Sequence, residues 1–240
     1  MMSILKLNTF LFDIINVLLL KKTLYICGMI KNNEIPGKVA EYLLQIKAIK
    51  LSPSSPFTWA SGMKSPIYCD NRKTLSYPET RDYIRDAFVE VLKEKFGEVD
   101  VIAGVATGAI ALGVLVAQAL NKPFVYVRSG AKKHGLENMV EGHFERGQSV
   151  VVIEDLVSTG GSSLKAVEAL RNAGANVKGL LAIFTYGFAK AVDAFSEGNC
   201  EWYTLSDYNA MIDIAVNTGY VNAADIELLK KWRENPQDWQ

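Results

Sequence analysis

Apolar runs and helical stripes alternate along the middle of this chain. Val150-Val151-Val152-Ile153 is an unbroken β-branched run, the mark of a strand buried on both faces, and strands are also predicted at 100–104, 123–127 and 177–185. Helical patterns separate them. Residues 34–49 carry Val39, Ala40, Leu43, Leu44 and Ile46 at helical spacing, which predicts an amphipathic helix. Residues 78–96 predict a second helix, with Tyr83, Ile84, Ala87, Phe88, Val91 and Leu92 as its stripe, Pro78 in its first turn and Gly97 beyond its end. Small apolar residues continue from the tight turn 105–109 to a helix ending near Leu120. Leu164, Val167, Ala169 and Leu170 mark another, stopped at Ala173-Gly174. Residues 188–197 predict a short helix and 201–204 an edge strand. Residues 207–234 predict one or two helices, with Tyr208, Met211, Ile212 and Ala215 on one face and Ile226, Leu229 and Trp232 on another. Strands alternating with helices predict an α/β fold, a central mainly parallel sheet flanked by helices. Ligands of such sheets sit at the carboxyl ends of the strands.

One segment breaks the alternation. Residues 51–58 (LSPSSPFT) read as a loop, and Phe57 to Arg72 as a hairpin-like hood of two short strands around a Ser-Gly turn. The hood spans about residues 50–75.

Composition narrows the class. The 240 residues are 49% apolar, with 26 basic and 26 acidic side chains, enough for one domain with a full core. A net charge of zero argues against nucleic acid as a partner. Cys27, Cys69 and Cys200 are odd in number, widely spaced and without CxxC, which points to neither a disulfide framework nor a zinc site but to a reducing, cytoplasmic setting. The apolar stretch Phe10 to Leu20 is interrupted by Asp13 and falls short of the roughly 20 apolar residues of a membrane span, so no membrane association is expected. We read residues 1–28 as an extension, non-native or disordered, ahead of a start at Met29, and residues 29–240 as a single domain.

The chemistry gathers after the Val150 run. Glu154 and Asp155 follow it, then Leu156 and Val157, then Ser158-Thr159-Gly160-Gly161-Ser162-Ser163 opening a helix. A glycine-rich turn at a helix N-terminus offers unpaired N–H groups and the positive end of the helix dipole, a site for phosphate. The serine and threonine hydroxyls add donors. Two carboxylates beside that cradle would repel phosphate but accept hydrogen bonds from vicinal hydroxyls. Phosphate at one end and a diol at the other describe a ribose 5-phosphate. A plain capped helix needs one hydroxyl, not this set. Neither GxxxxGK[ST] nor a strand-borne GxGxxG is present.

This stretch resembles the phosphoribosyl diphosphate (PRPP) motif of the type I phosphoribosyltransferases. The hood sequence Phe57-Thr58-Trp59-Ala60-Ser61-Gly62-Met63-Lys64-Ser65-Pro66 resembles the F-T-x-x-S-G-x-x-S-P segment of orotate phosphoribosyltransferases. Arg128, Lys132, His134 and Gly135 match the spacing of that family's catalytic basic loop. The resemblance implies the type I phosphoribosyltransferase fold and transfer of ribose 5-phosphate from PRPP to orotate, giving orotidine 5′-monophosphate and diphosphate, with Mg²⁺ as cofactor. It implies that Arg128, Lys132 and Lys133 hold the diphosphate and that His134 binds it or donates a proton. It implies further that Thr107 and Gly108 contribute to the diphosphate site, that Glu154 and Asp155 hold the ribose hydroxyls, and that Leu156 to Ser162 grip the 5′-phosphate. Tyr68, Cys69 and Ser158 would lie near orotate. Where many relatives carry substrate-contacting cations this chain has Ala60 and Tyr186, leaving Arg72, with Lys64, as expected partners of the orotate carboxylate. Ser129 replaces a lysine of relatives, and Lys133 is expected to compensate in part. A homodimer is implied, with the basic loop 128–135 acting in the neighbouring subunit's site. The rival readings are transfer to another base and a nucleic-acid-binding regulator on the same fold; the hood sequence and the retained acids speak against them.

Overall fold

The computed structural model describes residues 34–59, 62–128, 130, 139–236 and 239. The readings made for residues 1–28, for Ala60 and for the basic loop from Ala131 to Gly135 lie outside these residues.

The chain enters through α1 (Glu34–Gln45), which buries Ile35, Val39, Ala40, Leu43 and Leu44. The helical spacing predicts four more residues of helix. Instead the backbone turns at Lys47, with φ of 55°, and Ile49 starts strand β1 (Ile49–Leu51). The spacing misleads because Ile46 and Ile49 are both buried without sharing a helix with α1. The hood contains the expected hairpin of β2 (Phe57–Thr58) and β3 (Lys64–Ser65). It also contains β4 (Ile67–Cys69), which pairs antiparallel with β1 and so ties the hood to the first helix. A 3₁₀ turn (Asn71–Ser76) leads into α2 (Pro78–Phe96), whose ends are where Pro78 and Gly97 predict them.

The main sheet is built from β5 (Val101–Val105), β6 (Phe124–Val127), β7 (Val140–Glu141), β8 (Ser149–Val157), β9 (Asn176–Thr185) and β10 (Trp202–Asp207). Among the described residues their order is β10-β9-β8-β5-β6-β7, every pair parallel except β6–β7. Helices α3 (Ile110–Leu120), α4 (Gly161–Asn172) and α5 (Ala189–Glu197) lie between strands, and α6 (Tyr208–Asn217) and α7 (Ala223–Glu234) close the chain. Each face of the sheet buries its own core. Val151 and Ile153 enter one with Val39, Phe88 and Trp232, while Val150 and Val152 enter the other with Val167 and Phe195. Strand alternation therefore requires all four residues of the run to be apolar.

From β5 the sheet grows in both directions, to β6 on one side and to β8 on the other. Such a reversal opens a crevice at the carboxyl ends of the strands. Pairing of β8 with β5 ends at Ile153–Gly104, whereas pairing with β9 continues to Val157–Thr185. The last residues of β8 thus border the crevice.

Candidate active site

The acidic pair lies on this final stretch of β8, which runs further than the apolar run alone predicts. Successive strand residues point to opposite faces, so the two carboxylates have different surroundings. Glu154 is only 5% exposed. Its Oε2 accepts a hydrogen bond from the Ser163 hydroxyl at 3.0 Å, and its Oε1 accepts one from the Asp155 N–H at 3.0 Å. Burial, with the adjacent Asp155 charge, pushes its carboxyl up to about 8. Asp155 is half-buried and faces the turn after β5.

After Val157, whose carbonyl accepts from the Thr185 hydroxyl at 2.9 Å, the chain passes Ser158 and Thr159 to Gly160. Gly160 has φ of 82° and caps α4 with no side-chain hydrogen bond. A Cβ there would come within 2.9 Å of Phe195 Cε2, so the loop needs glycine on both counts. The first-turn N–H groups of α4 therefore face the loop uncapped by any side chain, an anion-binding end. The hydroxyls of Ser158, Thr159 and Ser162 make no hydrogen bond among the described residues. Leu156 is half-buried.

The turn after β5 stands beside this loop. The Ala106 N–H donates to the Val127 carbonyl at 2.8 Å, which fixes the turn against the end of β6, and the Ala106–Thr107 peptide is cis. Thr107 is exposed. Gly108 packs directly on Asp155: a Cβ there would lie 2.8 Å from Oδ1 and collide with Oδ2. Arg128 leaves the end of β6, its N–H donating to the Met139 carbonyl at 2.8 Å and its guanidinium 3.5 Å from Glu141 Oε1. Lys132, Lys133 and His134 lie outside the described residues. The structure brings Thr107, Arg128, Asp155 and the 158–162 loop to one end of the sheet.

The hood contributes from another direction. Tyr68 is 41% exposed, its ring 5.7 Å from Phe57. Lys64 Nζ donates to the Thr58 hydroxyl at 2.8 Å. Arg72 Nε donates to Asp70 Oδ1 at 2.6 Å, which holds the Asp70 carboxyl below its usual range. Asp70 first, then Asp155 and Tyr68, favour the charged guanidinium. Tyr186 does not reach solvent. It is 2% exposed and packs among Trp59, Phe184, Phe188 and Trp232. Trp59 is held over it by donating to the Ile67 carbonyl at 2.9 Å.

Ser163, the last residue of the polar run after β8, backs Glu154 from the first turn of α4. One further residue stands out only in the fold. Asn71, 2% exposed, donates from Nδ2 to the Asp155 carbonyl at 2.6 Å. The only signal for Asn71 was a polar Asp-Asn-Arg triplet after a short strand.

The family model for the phosphoribosyl transferase domain matches residues 75–199. The chain is 59% identical over 201 residues to the orotate phosphoribosyltransferase of Phocaeicola vulgatus, covering 84% of this chain and 95% of that one. It is 55% identical over 205 residues to that of Listeria monocytogenes, covering 85% and 98%. A solved orotate phosphoribosyltransferase from Aeropyrum pernix is similar at a TM-score of 0.67 and 28% identity, covering 77% of this chain and 99% of that one.

Proposed function

The chain belongs to the orotate phosphoribosyltransferases, and from that premise we propose how its residues divide the transfer of ribose 5-phosphate from PRPP to orotate. The observation that carries the proposal is the meeting of Gly108 with Asp155, which joins the turn after β5 to the acids at the end of β8 at the sheet's reversal. Displacement at the anomeric carbon places positive charge on the ribose while negative charge grows on the departing diphosphate. Such a step needs donors and cations at the leaving group and firm positioning more than a strong base.

Residues 158–162 bind the 5′-phosphate through the uncapped N–H groups of α4 and the unengaged hydroxyls. Leu156 and Val157 hold that loop on the sheet. Asp155 accepts from a ribose hydroxyl. Glu154, buried and accepting from the Asp155 N–H and the Ser163 hydroxyl, braces Asp155 and meets the neighbouring hydroxyl when PRPP enters. Thr107, the Gly108 N–H, Arg128, Lys132 and Lys133 hold the diphosphate, and His134 binds it or protonates it as it leaves. Arg72, Lys64, Tyr68 and Ser158 surround orotate, with Arg72 opposite its carboxylate because a guanidinium pairs two oxygens at once.

The site suits Mg²⁺ carried mainly on substrate oxygens. Asp155 offers a hard carboxylate oxygen at the crevice edge. A bound Mg²⁺ would offset the negative charge growing on the departing diphosphate, with Asp155 the carboxylate placed to help hold it. The working form is a homodimer in which the 128–135 loop serves the neighbouring site. A cytoplasmic location accords with the cysteine usage; among the described residues no helix is long and apolar enough to cross a membrane.

Base selection tests this reading. Orotate, uracil, adenine and hypoxanthine are offered with PRPP and Mg²⁺, and product is measured for each. Orotate alone should turn over, and Arg72→Ala should lower kcat/KM for orotate by at least about tenfold. Turnover of a purine in place of orotate would overturn it.

A further inference from the structure

We infer that Asn71 is a positioning residue that locks the base-covering hood to the ribose-binding acid, with Cys69 setting the direction of its amide. The inference rests on the assignment of hood and acid given above. Asn71 begins the 3₁₀ turn that ends the hood, two residues from Cys69 in β4 and next to Arg72. Its partner lies 84 residues away, at the backbone of Asp155. Beyond Ile153, β8 has no β5 partner, and it is here that the Asp155 carbonyl receives the Asn71 amide.

Chemistry fixes which way round the amide lies. A backbone carbonyl only accepts, so the NH₂ end must face Asp155. The carbonyl end then faces Cys69, whose Sγ donates to Oδ1 at 3.3 Å. That requires the thiol to keep its proton. Burial, with the charges of Asp155 and Asp70, pushes the thiol well up from its ordinary value, so it remains a donor. The sequence of donors runs from Cys69 Sγ through Asn71 to Asp155, and no member is left facing a like group. Asn71 is buried, with its amide engaged by the Asp155 backbone and the Cys69 thiol, so it acts through Asp155 and not on substrate. Its effect is to keep the Asp155 carboxylate and the hood at one separation, and so the anomeric carbon in line with the attacking base. Misplacement of reacting groups by about 1 Å can cost as much as about a hundredfold in rate.

Asn71→Ala removes the lock. In steady-state assays with PRPP and orotate, at a temperature where melting shows the variant fully folded, kcat should fall by about tenfold or more while both KM values stay within about threefold. A merely structural role lowers the melting temperature and leaves kcat of the folded protein near wild type; kcat within about twofold of wild type would overturn the inference. A second series serves if Asn71→Ala does not fold. Cys69→Ala should lower kcat and Cys69→Ser should restore it, because serine keeps the donor. A thiol present only for packing predicts no rescue of kcat by serine over alanine. Absence of orotate turnover in the wild type would instead be a failure of the proposed function, read from the same assay.

Discussion

Gly108 and Asp155 occupy adjoining space with no room for a methyl group between them: a Cβ at 108 would lie 2.5 Å from Asp155 Cγ. The turn after β5 and the acid on β8 are thereby set against each other by an absent side chain. Gly108→Ala should push the Asp155 carboxylate from its place. The expected result is a fall in kcat/KM for PRPP of about tenfold or more, about 1.4 kcal/mol of transition-state stabilisation, with a modest change in melting temperature. An unaltered kcat/KM would show that Asp155 does not need this position.

Glu154 links protonation to folding. Its carboxyl is raised from 4.5 to about 8 in the fold, so folding takes up a proton between those values. This contribution to stability is present in full below the unfolded value and is lost as pH rises through about 8. Glu154→Gln keeps the shape and removes the titration. Urea midpoints at several pH values across this window, compared between the two proteins, should show the wild type losing stability relative to the variant as pH rises. A constant difference would contradict it.

The hood rests on the C-terminal helix. Trp232 of α7 is fully buried against Trp59, Tyr186, Phe188 and Tyr208. Trp232→Ala should cost about 3–5 kcal/mol by urea denaturation. Its indole N–H has no hydrogen-bond partner among the described residues, so Trp232→Phe leaves no polar group stranded and should cost distinctly less. Equal costs would mean that ring packing contributes little.

A shared site can be tested by mixing. Lys132→Ala should abolish most turnover with the fold intact, and Asp155→Asn should do the same from the other half of the site. If the loop crosses the dimer, refolding the two inactive variants together restores one intact site in each mixed dimer, about a quarter of wild-type activity for random pairing. No recovery in verified mixed dimers would contradict the crossing.

Much of this architecture was legible because its signals are local. The Val150–Ile153 run, Pro78 and Gly97 around α2, and the serine-glycine loop each declare a strand, a helix or a turn within a few residues. What was hidden depends on contacts between distant segments. Ile49 keeps the helical spacing yet begins β1, because the partner that makes it a strand, β4, lies nearly twenty residues on. Strand β8 runs through the acids because β9 continues beside it. Asn71 is an ordinary polar residue until the fold brings it to Asp155, and Ser163 of the polar run turns to Glu154 only in the fold. Tyr186 reads as a lost substrate contact in sequence and is, in the fold, part of the wall on which the hood's Trp59 rests.

The most direct measurement follows the ultraviolet absorbance of orotate in the presence of PRPP and Mg²⁺. The expected result is loss of orotate absorbance that requires both, with diphosphate formed in equal amount. Orotate that persists while PRPP is consumed with another base, or with none, would contradict it.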